Sequence, residues 1–228
     1  MSSTHRFTDV LSDETLARHR NLLVAGPSPE TVRTVPSRLL DRAAEPGDGA
    51  VLVTTRDAPR TVLDRMSRAA TTLGRDRLGV VDCTPTHDVV RSSPRDLHWS
   101  VPSPTDLTGT SMAVHECLET LWKRDVDRRH LVFDSLSTLL VSADSETVTR
   151  YAHQLLLLSE SREACTLFPI YTNVTDGTDF ERLKHLFDGM IRVRRRNGQR
   201  QVRCVGIDGA PTGWMTLAST SSPSSADA

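Results

Sequence analysis

The chain of 228 residues is long enough to bury one substantial core, so a single main domain is expected. Its composition, 37% hydrophobic and 25% charged, is that of a globular protein in water, and the formal net charge of −1 gives no global field for nucleic acid or anionic membranes. No apolar run approaches the roughly 18 residues that cross a bilayer. The N-terminal residues lack the apolar core of a secretion signal, which predicts a cytoplasmic protein.

Short strand-like runs alternate with helical patterns along the chain. Residues 1–19 precede this alternation and hold only one short predicted helix, from residue 13 to residue 19. Alternation of this kind is typical of a mostly parallel sheet that is covered by helices on both faces. We predict strands at 21–25, 50–54, 78–82, 130–134 and 166–171, and helices at 29–44, 58–73, 109–124 and 145–164.

The chain after residue 179 changes character and predicts antiparallel strands. Asn197-Gly198 is its strongest hairpin signal, because both turn positions of a type I′ turn need positive φ. A two-residue turn at this place fixes the register of the two strands. The pairs that it predicts are Val193 with Val202, Ile191 with Cys204, and Arg192 with Arg203 on the opposite face.

The segment "NLLVAGPSPETVRT", residues 21–34, lies where an α/β nucleotide-binding protein holds phosphate. A working loop reads GxxxxGK[ST], with glycines that wrap the phosphates, a lysine that neutralises charge and a hydroxyl for magnesium. Only Gly26 fits this spacing, and Arg33-Thr34 replaces Lys-Thr only if the loop has one extra residue. Residues 28–30, Ser-Pro-Glu, instead predict a helix N-terminus with a capping side chain and an acid in its first turn. The loop therefore reads as a degenerate phosphate site.

The order of the segments resembles that of the KaiC and RecA-like ATPases, especially uncharacterised archaeal members. The resemblance spans about residues 20–217 and rests most on Asp134-Ser135 after the apolar strand "HLVF", followed by "LSTLL", and on the closing "FDGMIRVR…GW". It implies a RecA-like three-layer α/β sandwich with a mostly parallel sheet and a C-terminal antiparallel hairpin extension. Residues 1–19 would form an N-terminal extension, and residues 218–228, which are small and polar, a disordered tail.

The resemblance also implies ATP and magnesium binding, and assembly with other copies or with a catalytic partner. Carried over residue by residue, it leaves a vestigial nucleotide site, in which Asp134 would hold magnesium only if a nucleotide binds. The lysine and the water-activating glutamate of the family are missing, and Asp57 is only a weak candidate base because its side chain is shorter. Asp57 could equally cap the following helix. The vestigial site consists of Gly26, Arg33, Thr34, Asp134 and Ser135.

Six arginines near the hairpin form a candidate partner surface without an acid among them. Arginines opposite each other on a hairpin are costly without a counter-charge, which favours a protein partner, either a homologous ATPase or a second copy. Nucleic acid is less favoured, since no aromatic residue is interleaved to stack bases, and the charges alone would also protect a sheet edge. These residues are Arg192, Arg194, Arg195, Arg196, Arg200 and Arg203.

The residues that bind metals or form disulfides are scattered. The four cysteines include no CxxC pair, and the eight histidines show no HxH or HExxH spacing. Neither a zinc site nor a disulfide framework is expected. Only two of the cationic residues are lysines, a bias typical of GC-rich genomes such as those of halophiles, although the near-neutral charge lacks a halophile's acidic excess.

Three functions follow from these patterns. The loss of the phosphate-binding residues, together with the retention of Asp134, favours a catalytically degenerate domain that acts as a regulatory or signalling partner. The first alternative is a divergent magnesium-dependent ATPase that uses Arg33-Thr34. The second is an accessory protein of DNA repair that resembles recombinase paralogues and places its arginine hairpin on DNA. ATP and magnesium are expected as cofactors only in the first alternative.

Overall fold

The computed structural model describes residues 4–5, 7–18, 20–44, 46–66, 76–84, 93, 95 and 97–218. Its strands are β1 (Thr4–His5), β2 (Asn21–Gly26), β3 (Asp48–Thr54), β4 (Leu78–Asp82), β5 (His98–Ser100), β6 (Arg128–Phe133), β7 (Ala164–Tyr171), β8 (Gly189–Arg196), β9 (Gln199–Val205) and β10 (Met215–Leu217). Its helices are α1 (Phe7–Val10), α2 (Asp13–Arg18), α3 (Pro29–Val32), α4 (Thr34–Ala43), α5 (Pro59–Met66), α6 (Leu107–Lys123), α7 (Leu136–Ser142), α8 (Ser145–Ser161) and α9 (Gly177–Lys184).

All these strands join one sheet in the order β1-β10-β9-β8-β2-β7-β6-β3-β4-β5. The run from β8 to β5 is parallel, and the antiparallel pairs are β8 with β9 and β9 with β10. The first long strand, β2, lies between β7 and β8. The predicted fold class, an α/β protein with a mostly parallel sheet and a C-terminal antiparallel extension, is confirmed.

Two hydrophobic cores lie on opposite faces of the sheet. One is formed with α2, α3, α4 and α5, and the other with α6, α7, α8 and α9. Strand β2 contributes side chains to both cores, because successive side chains of a strand point to opposite faces. Leu22 and Val24 belong to the first core, and Leu23 and Ala25 belong to the second. Strands buried on both faces read as continuous apolar runs, which is why they were visible in the sequence.

The predicted C-terminal hairpin is confirmed to the residue. Asn197 and Gly198 have φ of 51° and 75°, as a type I′ turn requires. Val193 pairs with Val202, Ile191 with Cys204 and Arg192 with Arg203.

Two of the predicted helices differ in extent, and α7 and α9 were not predicted. The predicted helix 29–44 is two helices, α3 and α4, because Pro36 has no N–H to donate to the Val32 carbonyl and its ring crowds that carbonyl. The predicted helix 145–164 ends at Ser161, since Glu163 takes the left-handed conformation with φ of 54°. The part of the predicted helix 58–73 beyond residue 66 lies outside the described residues.

The segment before residue 20, expected to be a loose extension, packs onto the domain. Val10, Leu11 and Leu16 belong to the first core, and β1 pairs with β10. Asp13 forms ion pairs with Arg42, which is buried, and with Arg128. The predicted tail, apart from residue 218, lies outside the described residues.

Candidate functional site

A cleft opens where the parallel strands end. The helices that follow β2 and β3 cover one face of the sheet, whereas those that follow β6 and β7 cover the other. In open α/β sheets such a change of side creates a crevice outside the carboxyl ends of the strands, and ligands bind there. The cleft at this place is lined by Arg33, Arg56, Asp57, Asp134, Ser135 and Tyr171, among others.

The enclosed part of the cleft is smaller than a nucleotide. Its volume is about 50 Å³. Pockets that bury small organic ligands usually measure about 300 to 1,000 Å³. A few water molecules fit, but a nucleoside triphosphate would require the surrounding segments to move apart.

The loop between β2 and α3 offers few donors to a phosphate. Pro27 and Pro29 have no backbone N–H at all. The N–H groups of Thr31 and Val32 both donate to the Ser28 carbonyl, at 3.1 and 3.0 Å, and Arg33 N–H donates to the Pro29 carbonyl at 3.0 Å. A phosphate-binding loop works by directing successive N–H groups at the ligand. Here the backbone has formed a helical turn instead.

Gly26 serves packing and not ligand approach. A Cβ atom at this position would lie 2.8 Å from Val32 Cγ2 and 2.9 Å from the Val193 carbonyl oxygen. These contacts close the end of β2 between α3 and β8. The only residue that fits the first glycine of a phosphate loop is therefore explained by the close approach of neighbouring segments.

The predicted cap of α3 is wrong in its detail. Ser28 occupies the N-cap position with extended backbone, but its side chain does not accept a hydrogen bond from the helix backbone. Its hydroxyl instead pairs with the Thr31 hydroxyl at 3.0 Å. Glu30 lies in the first turn, as predicted, and bonds Arg195 of the hairpin at 3.2 Å.

Asp134 lies at the end of β6 and points to the neighbouring strand β3. Its two carboxylate oxygens accept hydrogen bonds from the backbone N–H and the hydroxyl of Thr55, at 2.7 and 2.6 Å. Burial raises the pKa of Asp134 to about 6, although the hydrogen bonds of Thr55 act in the opposite direction. Through these two hydrogen bonds the Asp134 side chain joins the ends of β6 and β3.

Asp57 is paired with two arginine side chains on its own side of the cleft. Its Oδ2 atom accepts a hydrogen bond from Arg65 Nη1 at 2.8 Å and lies 3.4 Å from Arg56 Nη2. A general base must reach a water molecule with its free carboxylate. Two arginines already bind this one, so the weak candidacy of Asp57 gains no support from its surroundings.

The remaining predicted site residues are divided between two places. Asp57, Asp134 and Ser135 line the cleft, Thr34 lines a different cavity on the outer side of α4, and Arg33 lines both. Among the described residues, no group of three or more histidine, cysteine or acidic residues could hold a metal ion.

The six hairpin arginines do not form one surface, because the strands alternate. Arg195 and Arg200 face each other on the side of α3 and α4, together with the buried valine pair. The other four point to the opposite side, where Arg194 donates to the Gln201 side chain at 2.9 Å and lies over the ring of Trp214 at 3.9 Å. The members of this second group are Arg192, Arg194, Arg196 and Arg203.

Sequence reasoning missed three residues of the cleft. Thr55 holds Asp134, Tyr171 donates to the Asp134 carbonyl at 3.4 Å, and Arg65 binds Asp57. Burial raises the pKa of Tyr171 above its usual value. Thr55 and Tyr171 each lie at a strand end, and this position was the available signal for both.

The fold and the cleft define an α/β protein with a crevice at the strand ends. The chain belongs to the family described as "Family of unknown function (DUF7504)", whose model matches residues 20–193. No curated protein matches the chain. Among solved structures it is similar to the uncharacterized protein PH0321 from Pyrococcus horikoshii, crystallised in complex with an unknown peptide. The two are 14% identical with a TM-score of 0.60, over 83% of this chain and 87% of that one, and this likeness shows the fold alone.

The chain shows no sign of a membrane-spanning helix in its described part. None of the helices there combines the length and the apolar character that crossing a bilayer requires.

Proposed function

We propose that this protein is a RecA/KaiC-like domain that has lost nucleotide chemistry and works as a regulatory or signalling partner of another protein. The observation that carries the proposal is the β2–α3 loop. Two prolines remove N–H groups, and the N–H groups of Thr31, Val32 and Arg33 are used within the helical turn. The loop at the place of a phosphate site therefore has most of its backbone donors removed or used within the helix.

The other residues of the cleft support the same proposal. Asp134 is held by Thr55, and Asp57 is held by arginines. Arg33 lines the cleft in place of a lysine, but the enclosed volume on the cleft side of Arg33 is smaller than a triphosphate. A domain of this kind offers partners a rigid surface but does not hydrolyse a nucleotide. The solved relative holds an unknown peptide, which is the class of partner proposed here.

The experiment is a magnesium-dependent ATP turnover assay on the purified chain. We expect no turnover above the rate without protein. The competing hypothesis, a divergent ATPase that uses Arg33-Thr34, requires turnover that disappears in Arg33→Ala. Arg38→Ala is the matched control, since it removes an arginine of the neighbouring helix that does not line the cleft. Turnover that survives in Arg38→Ala and is lost in Arg33→Ala would refute the proposal.

A second candidate, the nucleic-acid accessory protein, is favoured by one observation. Trp214, which is half-buried, lies beside Arg194 and supplies an aromatic ring next to the cationic face of the hairpin. Stacking on aromatic rings next to arginines is a common way to bind single strands. If DNA binds there, Arg194→Gln with Arg196→Gln weakens it and reduces its salt dependence. The equally charged pair Arg195→Gln with Arg200→Gln, on the other face, does not.

A further inference from the structure

A second cavity, the arginine groove, lies beside the cleft between α4 and the tip of the hairpin. Its volume of about 380 Å³ falls within the range of small-molecule sites. The first residues of α4, the turn after β8 and the end of β10 form its walls. Its cationic residues are Arg33, Arg38, Arg65, Arg195 and Arg200.

The positive charge of the groove exceeds its negative charge. Five arginines line it with one carboxylate, that of Glu30, which Arg195 already binds at 3.2 Å. Arg65 is paired with Asp57, and Arg38 donates to the carbonyl oxygen of Ala218. The guanidinium groups of Arg33 and Arg200 have no hydrogen bond or ion pair with any described residue.

The hairpin register adds to this imbalance. Arg195 lies directly opposite Arg200 on the strand pair, on the face that forms the groove. Like charges opposite each other on a sheet destabilise it. Glu30 offsets only one of them, so an anion in the groove would stabilise the fold as well as bind.

A hydroxyl group of Thr34 at the groove adds an independent observation. The residue lines the groove and is 9% exposed, and its hydroxyl oxygen is buried without a hydrogen-bond partner among the described residues. Buried hydroxyl groups are normally paired, because leaving one unpaired costs free energy. A ligand with acceptor oxygens would complete this bond.

We propose that the arginine groove binds a small anion that carries several phosphate groups. Guanidinium groups bind phosphate oxygens through two parallel hydrogen bonds, and a hydroxyl donates a further one. A chain of phosphates supplies many acceptors and several negative charges in a compact volume, which matches several arginines around one groove. No aromatic side chain is among its described lining, so the groove recognises the phosphate chain and not an attached base.

The test is calorimetric titration of the full chain with sodium tripolyphosphate in EDTA, at about 0.1 M salt so that distant charges are screened. We expect saturable binding that weakens at least tenfold in Arg33→Gln/Arg200→Gln. The matched control is Arg192→Gln/Arg203→Gln, which removes the same charge from the opposite face of the hairpin. Its affinity is expected to stay within twofold of the wild type. Thr34→Val, which keeps the shape and removes the hydroxyl, is expected to weaken binding several-fold.

Three results would overturn the proposal. The first is no saturable binding of tripolyphosphate to the wild type, and the second is an equal loss of affinity in the two double variants. The third is an affinity that stays unchanged both in Thr34→Val and in Arg33→Gln/Arg200→Gln. Titration with magnesium-free ATP tests whether the groove recognises the phosphate chain alone. The dissociation constant of ATP should lie within about threefold of that of tripolyphosphate. A tenfold preference for ATP would contradict recognition of phosphate alone. The outcome is separate from that of the proposed function, because turnover in the cleft depends on magnesium and on Asp134, whereas binding in the groove depends on neither.

Discussion

Replacement of Asp134 by asparagine tests how the cleft uses the acid at the end of β6. The carboxylate accepts hydrogen bonds from the N–H and the hydroxyl of Thr55. Asparagine resembles the protonated carboxyl, since its oxygen can accept the N–H bond and its amide can donate to the hydroxyl oxygen. The variant therefore removes the charge while it preserves the bridge between β6 and β3.

The effect is expected to depend on pH with a defined sign. Burial raises the pKa of Asp134 from 3.8 to about 6, so the folded state holds its proton more tightly than the unfolded state. Between these two pKa values, rising pH ionises the unfolded chain first, and the free energy of unfolding falls. A shift of about 2 pKa units corresponds to about 3 kcal/mol, of which roughly 2 kcal/mol develops between pH 4 and pH 7.

The assay is urea unfolding of the wild type and Asp134→Asn at a series of pH values. The free energy of unfolding of Asp134→Asn, relative to the wild type, should rise by roughly 2 kcal/mol from pH 4 to pH 7 and then stay level. A constant difference would show that the pKa of Asp134 is the same in the folded and the unfolded chain, and a difference that falls with pH would show that folding lowers this pKa. Either result would contradict a carboxyl group whose pKa is raised by burial.

Two further predictions concern packing. Gly26→Ala should lower the free energy of unfolding by about 1 to 3 kcal/mol, because its Cβ would overlap Val32 and the Val193 carbonyl, whereas Gly177→Ala, in open space, should cost less than about 1 kcal/mol. Equal urea midpoints for the two variants would contradict the close packing at the end of β2. Asp13→Ala should cost about 1 to 2 kcal/mol, since it leaves the buried Arg42 without that half-exposed carboxylate, while Glu14→Ala, which breaks an exposed pair with Arg18, should cost about 0.5 kcal/mol. Similar losses in these two would mean that the N-terminal segment is not anchored through Asp13.

Local chemistry explains what could be predicted from the sequence. Asn197-Gly198 determines the turn, and a two-residue turn determines every pair of the hairpin, so the register needed no tertiary information. The buried parallel strands were visible as apolar runs. Asp134 was found because it ends such a run.

Contacts between distant segments explain what could not. Gly26 reads as a phosphate-loop residue until Val193, far along the chain, is seen to close over it. Thr55 meets Asp134 only because β3 and β6 are neighbours in the sheet, an order that the sequence pattern does not state. The groove exists because the hairpin places Arg195 and Arg200 beside α4.

Calorimetric titration of the wild type and Asp134→Ala with ATP and magnesium is the most direct test of the central claim. That claim is that the cleft no longer binds nucleotide. We expect the wild type and Asp134→Ala to bind ATP equally, with no saturable component that depends on Asp134, even at millimolar nucleotide. A micromolar dissociation constant in the wild type that is lost in Asp134→Ala would contradict it and would restore the cleft as an ATP site.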